Sequence, residues 1–199
     1  MTKIFTHWLI AFVTLSLLVF LRVQDSGLTE TLRLKSFDYL QSTDIISTSQ
    51  DIIVVEIDEQ SIELNGQWPW PRDKIADLIW QLRQNGAGMI ILPILFAEED
   101  RFGQDMALVE SLVDNGVIIG QVGTIQTNKN AVPRGVAKIG DPMPWLFQWP
   151  GMLGPIELLG LNADGVGVLN IAPEIDGVTR RVPLIMTVGE ETYPAVAIE

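Results

Sequence analysis

The chain contains no cysteine and a single histidine, His7. Without thiols it forms no disulfide and supports no thiolate chemistry, and the redox compartment is left open. With no histidine after residue 7, neither a Ser-His-Asp nor a Cys-His nucleophile can be assembled downstream, and the usual zinc sites are excluded as well. Basic residues are also few: 13 Lys and Arg stand against 25 Asp and Glu, scattered rather than clustered, for a formal net charge of −12. A protein that tracks phosphates needs the opposite balance, so no nucleic-acid partner is expected. No GxxxxGK loop is present, and GVGVLN at 165–170 lacks the third glycine of a dinucleotide fingerprint and has no evident helix after it. The sequence therefore predicts no cofactor and no metal site and singles out no catalytic residue, although its many carboxylates leave acid–base hydrolysis by a pair of them open.

What is present is a chain of 199 residues, 47% hydrophobic and 19% charged, enough for one domain with a sizeable core and unlike a disordered chain. From Ile4 to Leu21 it reads IFTHWLIAFVTLSLLVFL, without Asp, Glu, Lys or Arg, between Lys3 and Arg22. That is just long enough to cross a bilayer as a helix. LRVQDSG offers no small-x-small cleavage site, which disfavours a signal peptide, and a run apolar on every face suits a buried soluble helix poorly. The expectation is a cytoplasmic tail over 1–3 and an uncleaved transmembrane helix over 4–21, with His7 at headgroup level. Lys3 on one side and Arg22, Arg33 and Lys35 on the other leave the sidedness unsettled by charge alone.

Residues 22–50 read as a juxtamembrane helix, LTETLRLKSFDYL at 28–40, and a polar linker, QSTDIISTSQ. The rest, 51–199, reads as one α/β domain. DIIVVEID (51–58) is a β-branched run that predicts a buried strand. EQSIELNGQW is a loop with a turn at Asn65-Gly66. Pro71 suits the first position of a helix, and Ile75, Leu78, Ile79 and Leu82 recur at helical spacing until Asn85-Gly86. GMIILPILF (88–96) predicts a second strand, which makes a right-handed βαβ unit with the first, and Pro93 inside it points to an edge or a bulge. A second helix carries Met106, Val109, Leu112 and Val113 on one face and ends at Asn115-Gly116. VIIGQVG (117–123) is a third strand.

Residues 124–160 read as a loop rich in Pro and Gly that Trp145 and Trp149 pack back onto the domain. DGVGVLNI (164–171) and TRRVPLIMTV (179–188) predict a hairpin closed by Asp176-Gly177, and GEET offers a further turn. DGV at 164–166 and 176–178 fits two Asp-Gly turns better than calcium loops. YPAVAIE looks like the start of another helix, which suggests a piece of a longer protein. The fold class is α/β: an N-terminal transmembrane helix, then a mixed or mostly parallel sheet with flanking helices and a C-terminal β-hairpin.

Glu56, Asp58, Glu98, Glu99, Asp100 and Asp105 fall near the carboxyl ends of predicted strands, where α/β folds place their sites. They serve equally as solvated charges and helix caps. GQWPWPRDKIADLI at 66–79 is more particular. Pro69 and Pro71 fix alternate φ angles and bias Trp68 and Trp70 toward extended geometry, so the indoles project in fixed and different directions, as core pegs or as platforms. Arg72 stands at a helix amino end, unfavourable with the dipole by about 0.3–1 kcal/mol unless an acid answers it. Asp58 and Asp105 are the candidates for that acid, or an anionic ligand takes the place. The candidate ligand-binding set is Asp58, Trp68, Trp70, Arg72 and Asp105.

FDYL, IIVVEID, GQWPWPRDKIADLI, ILFAEEDRFGQD and DGVTRRVPL, in this order after an apolar N-terminal run, resemble the second class of the cyclase/histidine-kinase-associated sensory extracellular (CHASE) domains from about residue 33 onward. The WPWPR box is the specific element. The resemblance implies a bacterial extracytoplasmic sensor domain, periplasmic or extracellular, on an inner-membrane receptor. It is held by an N-terminal span and followed by further membrane helices and a cytoplasmic output module, a cyclase, kinase or cyclic-di-GMP enzyme, that these residues do not contain. Members of the family commonly carry an aspartate where this chain has Pro93, which weakens any site that aspartate serves. The implied partners are the membrane, a small-molecule ligand of unknown identity and a second copy in a homodimer. The alternatives are a membrane-anchored hydrolase using two carboxylates and a structural spacer that dimerises.

Overall fold

The computed structural model describes residues 2–23, 27–43, 49, 51–126, 128–135 and 139–199. The chain divides into two compact units, Met1–Val55 with Pro173–Val178, and Glu56–Ala172 with Thr179–Glu199. The first holds helix α1, Thr2–Val23, and helix α2, Gly27–Ser42. In α2, Arg33 pairs with Glu30 one turn away, and Leu34 is buried.

The expected membrane span over 4–21 is corrected by this structure. Among the described residues no helix is long and apolar enough to cross a membrane. The side chains of α1 are described over residues 7–20 and at Val23. Within that part Trp8, Phe12 and Leu15 are exposed. Of the polar linker after α2, residues 44–48 and 50 lie outside the described residues.

The second unit opens with helix α3, Glu59–Asn65, helix α4, Arg72–Gln84, strand β1, Ile90–Leu95, helix α5, Asp105–Leu112, and strand β2, Val117–Thr124. There follow a 3₁₀ turn at Met143–Trp145, strands β3, Phe147–Gln148, and β4, Gly151–Leu153, helix α6, Glu157–Asn162, and strands β5, Gly165–Val168, β6, Ile185–Val188, and β7, Glu191–Pro194. β2 is central. It pairs in parallel with β1 and, through Ile118–Gln121, with β5, while its end, Val122–Thr124, pairs antiparallel with β4. A smaller sheet runs β3-β6-β7. The sheets are thus mixed, with helices packed on them.

The core lies where α4, α5 and α6 cover the parallel strands: Ile75 and Ile79, Leu108 and Leu112, and Leu159 meet Ile90, Leu92, Val117, Ile119 and Val166. Full burial of each such side chain stabilises by about 1.5–3 kcal/mol. α4 has the expected spacing and stop, with Asn85 at its C-cap and Gly86 at φ 92°. In α5 the buried residues are Leu108, Val109, Ser111 and Leu112, whereas Met106 and Val113 are exposed. The inward face is therefore rotated from the one expected.

Three expectations fail in the second unit and at its border. The run 51–58 is no strand. Ile52, Ile53, Val54 and Val55 are exposed, and only Ile57 packs against the core. β-branched composition marks fitness for a pleated, half-buried surface, and this segment has no ladder partner to supply one. The parallel crossover expected from it is made instead by β1-α5-β2. Second, the C-terminal hairpin joins β6 to β7 around Gly189, the GEET turn, while β5 goes to the parallel sheet. Third, the loop-rich stretch contains β3, β4 and α6. Trp149 packs against Met152, Val168 and Tyr193, but Trp145 is exposed. Residues 196–199 form a turn, with the amides of Ile198 and Glu199 donating to the Ala195 carbonyl.

Candidate functional site

Pro71 is the N-cap of α4 and offers no capping side chain, so Arg72 begins the helix, and the Lys74 amide in that first turn donates to Asp73 Oδ1 at 2.8 Å. Ahead of it the two tryptophans take different parts. Trp70 is 9% exposed, belongs to the core, and donates its indole N–H to the Gly66 carbonyl at 2.7 Å. Trp68 is 37% exposed and meets Trp70 edge to face, with centroids 5.8 Å apart and planes at 63°. Such a pair contributes about 0.5–1.5 kcal/mol beyond its buried area. The Trp68–Pro69 bond is cis. Gly66, at φ 91°, closes α3 and turns the chain into the box. Lys74 donates to the Asn65 carbonyl from the first turn of α4.

Arg72 is answered by Asp105. Its Nε lies 3.4 Å from Oδ1, with the two side chains 13% and 14% exposed. Its Nη2 donates to the Glu98 carbonyl at 3.1 Å, and its guanidinium lies 4.4 Å from the Phe96 ring centroid. The other oxygen of Asp105 accepts the Asp100 amide at 2.9 Å, and Asp100 in turn accepts the Gln104 amide at 3.1 Å. One carboxylate at the start of α5 thus ties α4 to the 96–105 loop. Arg101 reaches back from that loop to the Pro69 carbonyl at 3.2 Å, with its guanidinium 4.7 Å from the Phe102 ring.

Asp58, the other candidate partner for Arg72, is spent elsewhere. It is the N-cap of α3, where Oδ1 accepts from the Ser61 amide at 2.8 Å and the Ser61 hydroxyl at 2.6 Å. The hydroxyl contact first, then the amide, holds the carboxyl below its ordinary range.

Between the box and the loop lies an open cavity of about 680 Å³. Trp68, Pro69 and Trp70 form one wall, Pro93, Ile94 and Leu95 another, and Glu98 to Arg101 the rim. The β1–β2 register shifts between Leu92 and Leu95, so the strand bends away from its neighbour where it meets the cavity. The bend falls at Pro93, which lacks a ladder donor and sits on an edge strand, as its place in the sequence suggested. The volume is in the range of small-molecule sites, and the position, at the carboxyl end of a parallel strand, is where α/β sheets bind ligands.

Of the five candidate residues, Trp68, Trp70 and Arg72 line the cavity, Asp105 stands behind Arg72, and Asp58 is not in the lining. The sequence reading missed Phe96 and Arg101. Arg101 had a signal, as the one basic residue within the acidic run at 97–105. Among the described residues no group of three or more His, Asp or Glu is placed to hold a metal ion.

A family model described as the CHASE2 domain matches residues 11–199. Neither a search of curated proteins nor one of solved structures found a match.

Proposed function

The chain belongs to the CHASE2 domain family, extracytoplasmic sensory domains of signalling receptors, and from that membership we propose that it is a ligand-sensing module whose ligand enters the cavity beside the WPWPR box. The observation that carries the reading is the difference between the two indoles that line the cavity: Trp70 is buried in the core, whereas Trp68 meets it edge to face and stays 37% exposed beside the cavity. Ligand binding shifts the population between two arrangements of the domain, and these regulate a cytoplasmic output module, a cyclase or kinase, outside these residues. The domain itself is sensory and carries no catalysis.

The test is Trp68→Ala in the intact receptor, with output activity and melting temperature measured together. Loss of stimulus-dependent output with the melting temperature within a few degrees of the parent supports the reading. Full output from a Trp68→Ala receptor rules the cavity out as the sensing site and favours a spacer that acts by dimerising alone.

A further inference from the structure

We infer that the cavity selects an organic cation, an ammonium with an apolar body, an inference that rests on the cavity being the sensing site. The two guanidinium groups in its lining suggest an anion at first sight, but Arg72 is paired and the single charge of Arg101 is outweighed by Glu98, Glu99 and Asp100 beside it. Arg72 is neutralised by Asp105, donates to the Glu98 carbonyl and covers Phe96 with its face. Arg101 donates to the Pro69 carbonyl and lies over Phe102. The carboxylates of Glu98 and Glu99, by contrast, are exposed at the rim, and among the described residues neither takes an ion pair or hydrogen bond. Asp100 commits one oxygen to the Gln104 amide. The charge left unspent at the opening is negative, and it stands with Trp68, the aromatic ring most favourable to a cation.

The geometry gives each part of such a ligand a place. The cationic head sits on the Trp68 ring with Glu98 and Glu99 close by, and the apolar body lies against Pro93, Ile94 and Leu95. A formal charge of −12 over the chain adds attraction for a cation at longer range, which salt screens.

The experiment is titration calorimetry on the full chain with three probes of one shape: choline, its uncharged carbon isostere dimethylbutanol, and the matching anion dimethylbutanoate. Choline is expected to bind saturably, and the uncharged isostere at least about fivefold more weakly, since only the charge differs. The anion should give no saturable heat. In a Glu98→Gln/Glu99→Gln variant with unchanged circular dichroism, choline affinity falls about fivefold and loses most of its salt dependence. Tighter binding of the uncharged probe or the anion, or no saturable binding of choline to the folded chain, overturns the inference. If another probe binds and Trp68→Ala abolishes it, the cavity stands as the sensing site and only the cation fails. If no probe binds and the Trp68→Ala receptor keeps its output, both fail.

Discussion

Replacing Asp105 with alanine removes three interactions at once, and the structure assigns each a size. Oδ2 is the acceptor for the Asp100 amide at 2.9 Å, a charge-assisted bond whose loss leaves a part-buried donor and costs about 1.5–3 kcal/mol. Oδ1 faces Arg72 at 3.4 Å, a long contact between side chains that are mostly but not wholly buried, so its share is about 0.5–1 kcal/mol. Asp105 also supplies the negative charge in the first turn of α5, about 0.3–1 kcal/mol in favourable settings. These terms overlap, and the net destabilisation expected is about 2–3 kcal/mol. With a urea m-value of about 2 kcal/mol/M the unfolding midpoint falls by about 1 M. Asp105→Asn keeps an oxygen for the Asp100 amide but loses the charge and turns an NH2 toward Arg72, so it should cost about 1–2 kcal/mol, less than alanine. Urea unfolding of both variants, followed by circular dichroism, decides the matter, together with a cycle against Arg72→Ala that should show coupling of about 1 kcal/mol. An alanine variant within about 0.5 kcal/mol of the parent, or alanine and asparagine variants of equal stability, refutes the account of Asp105 as the tie between α4 and the loop.

Leu112, fully buried between α5 and the sheet, should cost about 2–5 kcal/mol when cut to alanine, read from the same unfolding curves. At Gly154 an added Cβ would lie 1.8 Å from the Asn130 carbonyl oxygen, a backbone atom, so Gly154→Ala should destabilise by about 2 kcal/mol or more; an unshifted midpoint disproves that contact. The Asp58 carboxyl titrates below its ordinary 3.8, so its cap contributes fully above about pH 4 and is lost as pH falls through the lowered value. Asp58→Asn should flatten that part of the acid stability curve. Burial, and then Glu191, raise the Tyr193 phenol above 10.0. Its contribution is therefore whole below pH 10 and fades as pH rises through the raised value, so Tyr193→Phe should remove that alkaline slope.

The elements legible in the sequence were those with both a period and a stop signal. α4 has its apolar stripe and the Asn85-Gly86 end, and β2 opens on the apolar run Val117–Ile119 directly after Asn115-Gly116. Elements defined by pairing were not legible. IIVV at 52–55 has strand composition, but composition does not state which edge is free to receive it. The choice between β5–β6 and β6–β7 as the hairpin turned on two Gly turns that look alike from a distance. α6 was hidden because it has only six residues, with Pro155 just ahead of it and Gly160 inside it. In the site, the pairing of Arg72 with a carboxylate followed from its place at a helix start. That the carboxylate is Asp105 rather than Asp58 depended on Ser61, whose hydroxyl and amide claim Asp58 locally before any long-range partner can.

The two glycines of β5 have a bearing on mechanics. At Gly167 a side chain would begin 2.3 Å from the Val196 Cα, and at Gly165 it would begin 2.6 Å from the Glu199 side chain. The amide of Val196 donates to the Val168 carbonyl at 3.2 Å, and the Glu199 carboxylate grips Arg134 at 2.7 Å. Residues 196–199 are thus inlaid in the face of the sheet, like a tenon in a mortise cut by two missing side chains. Because β1, β2 and β5 are laced side by side, the strand that walls the cavity and this inlay are two strands apart. A displacement of β1 that leaves the ladder intact must carry the inlay with it.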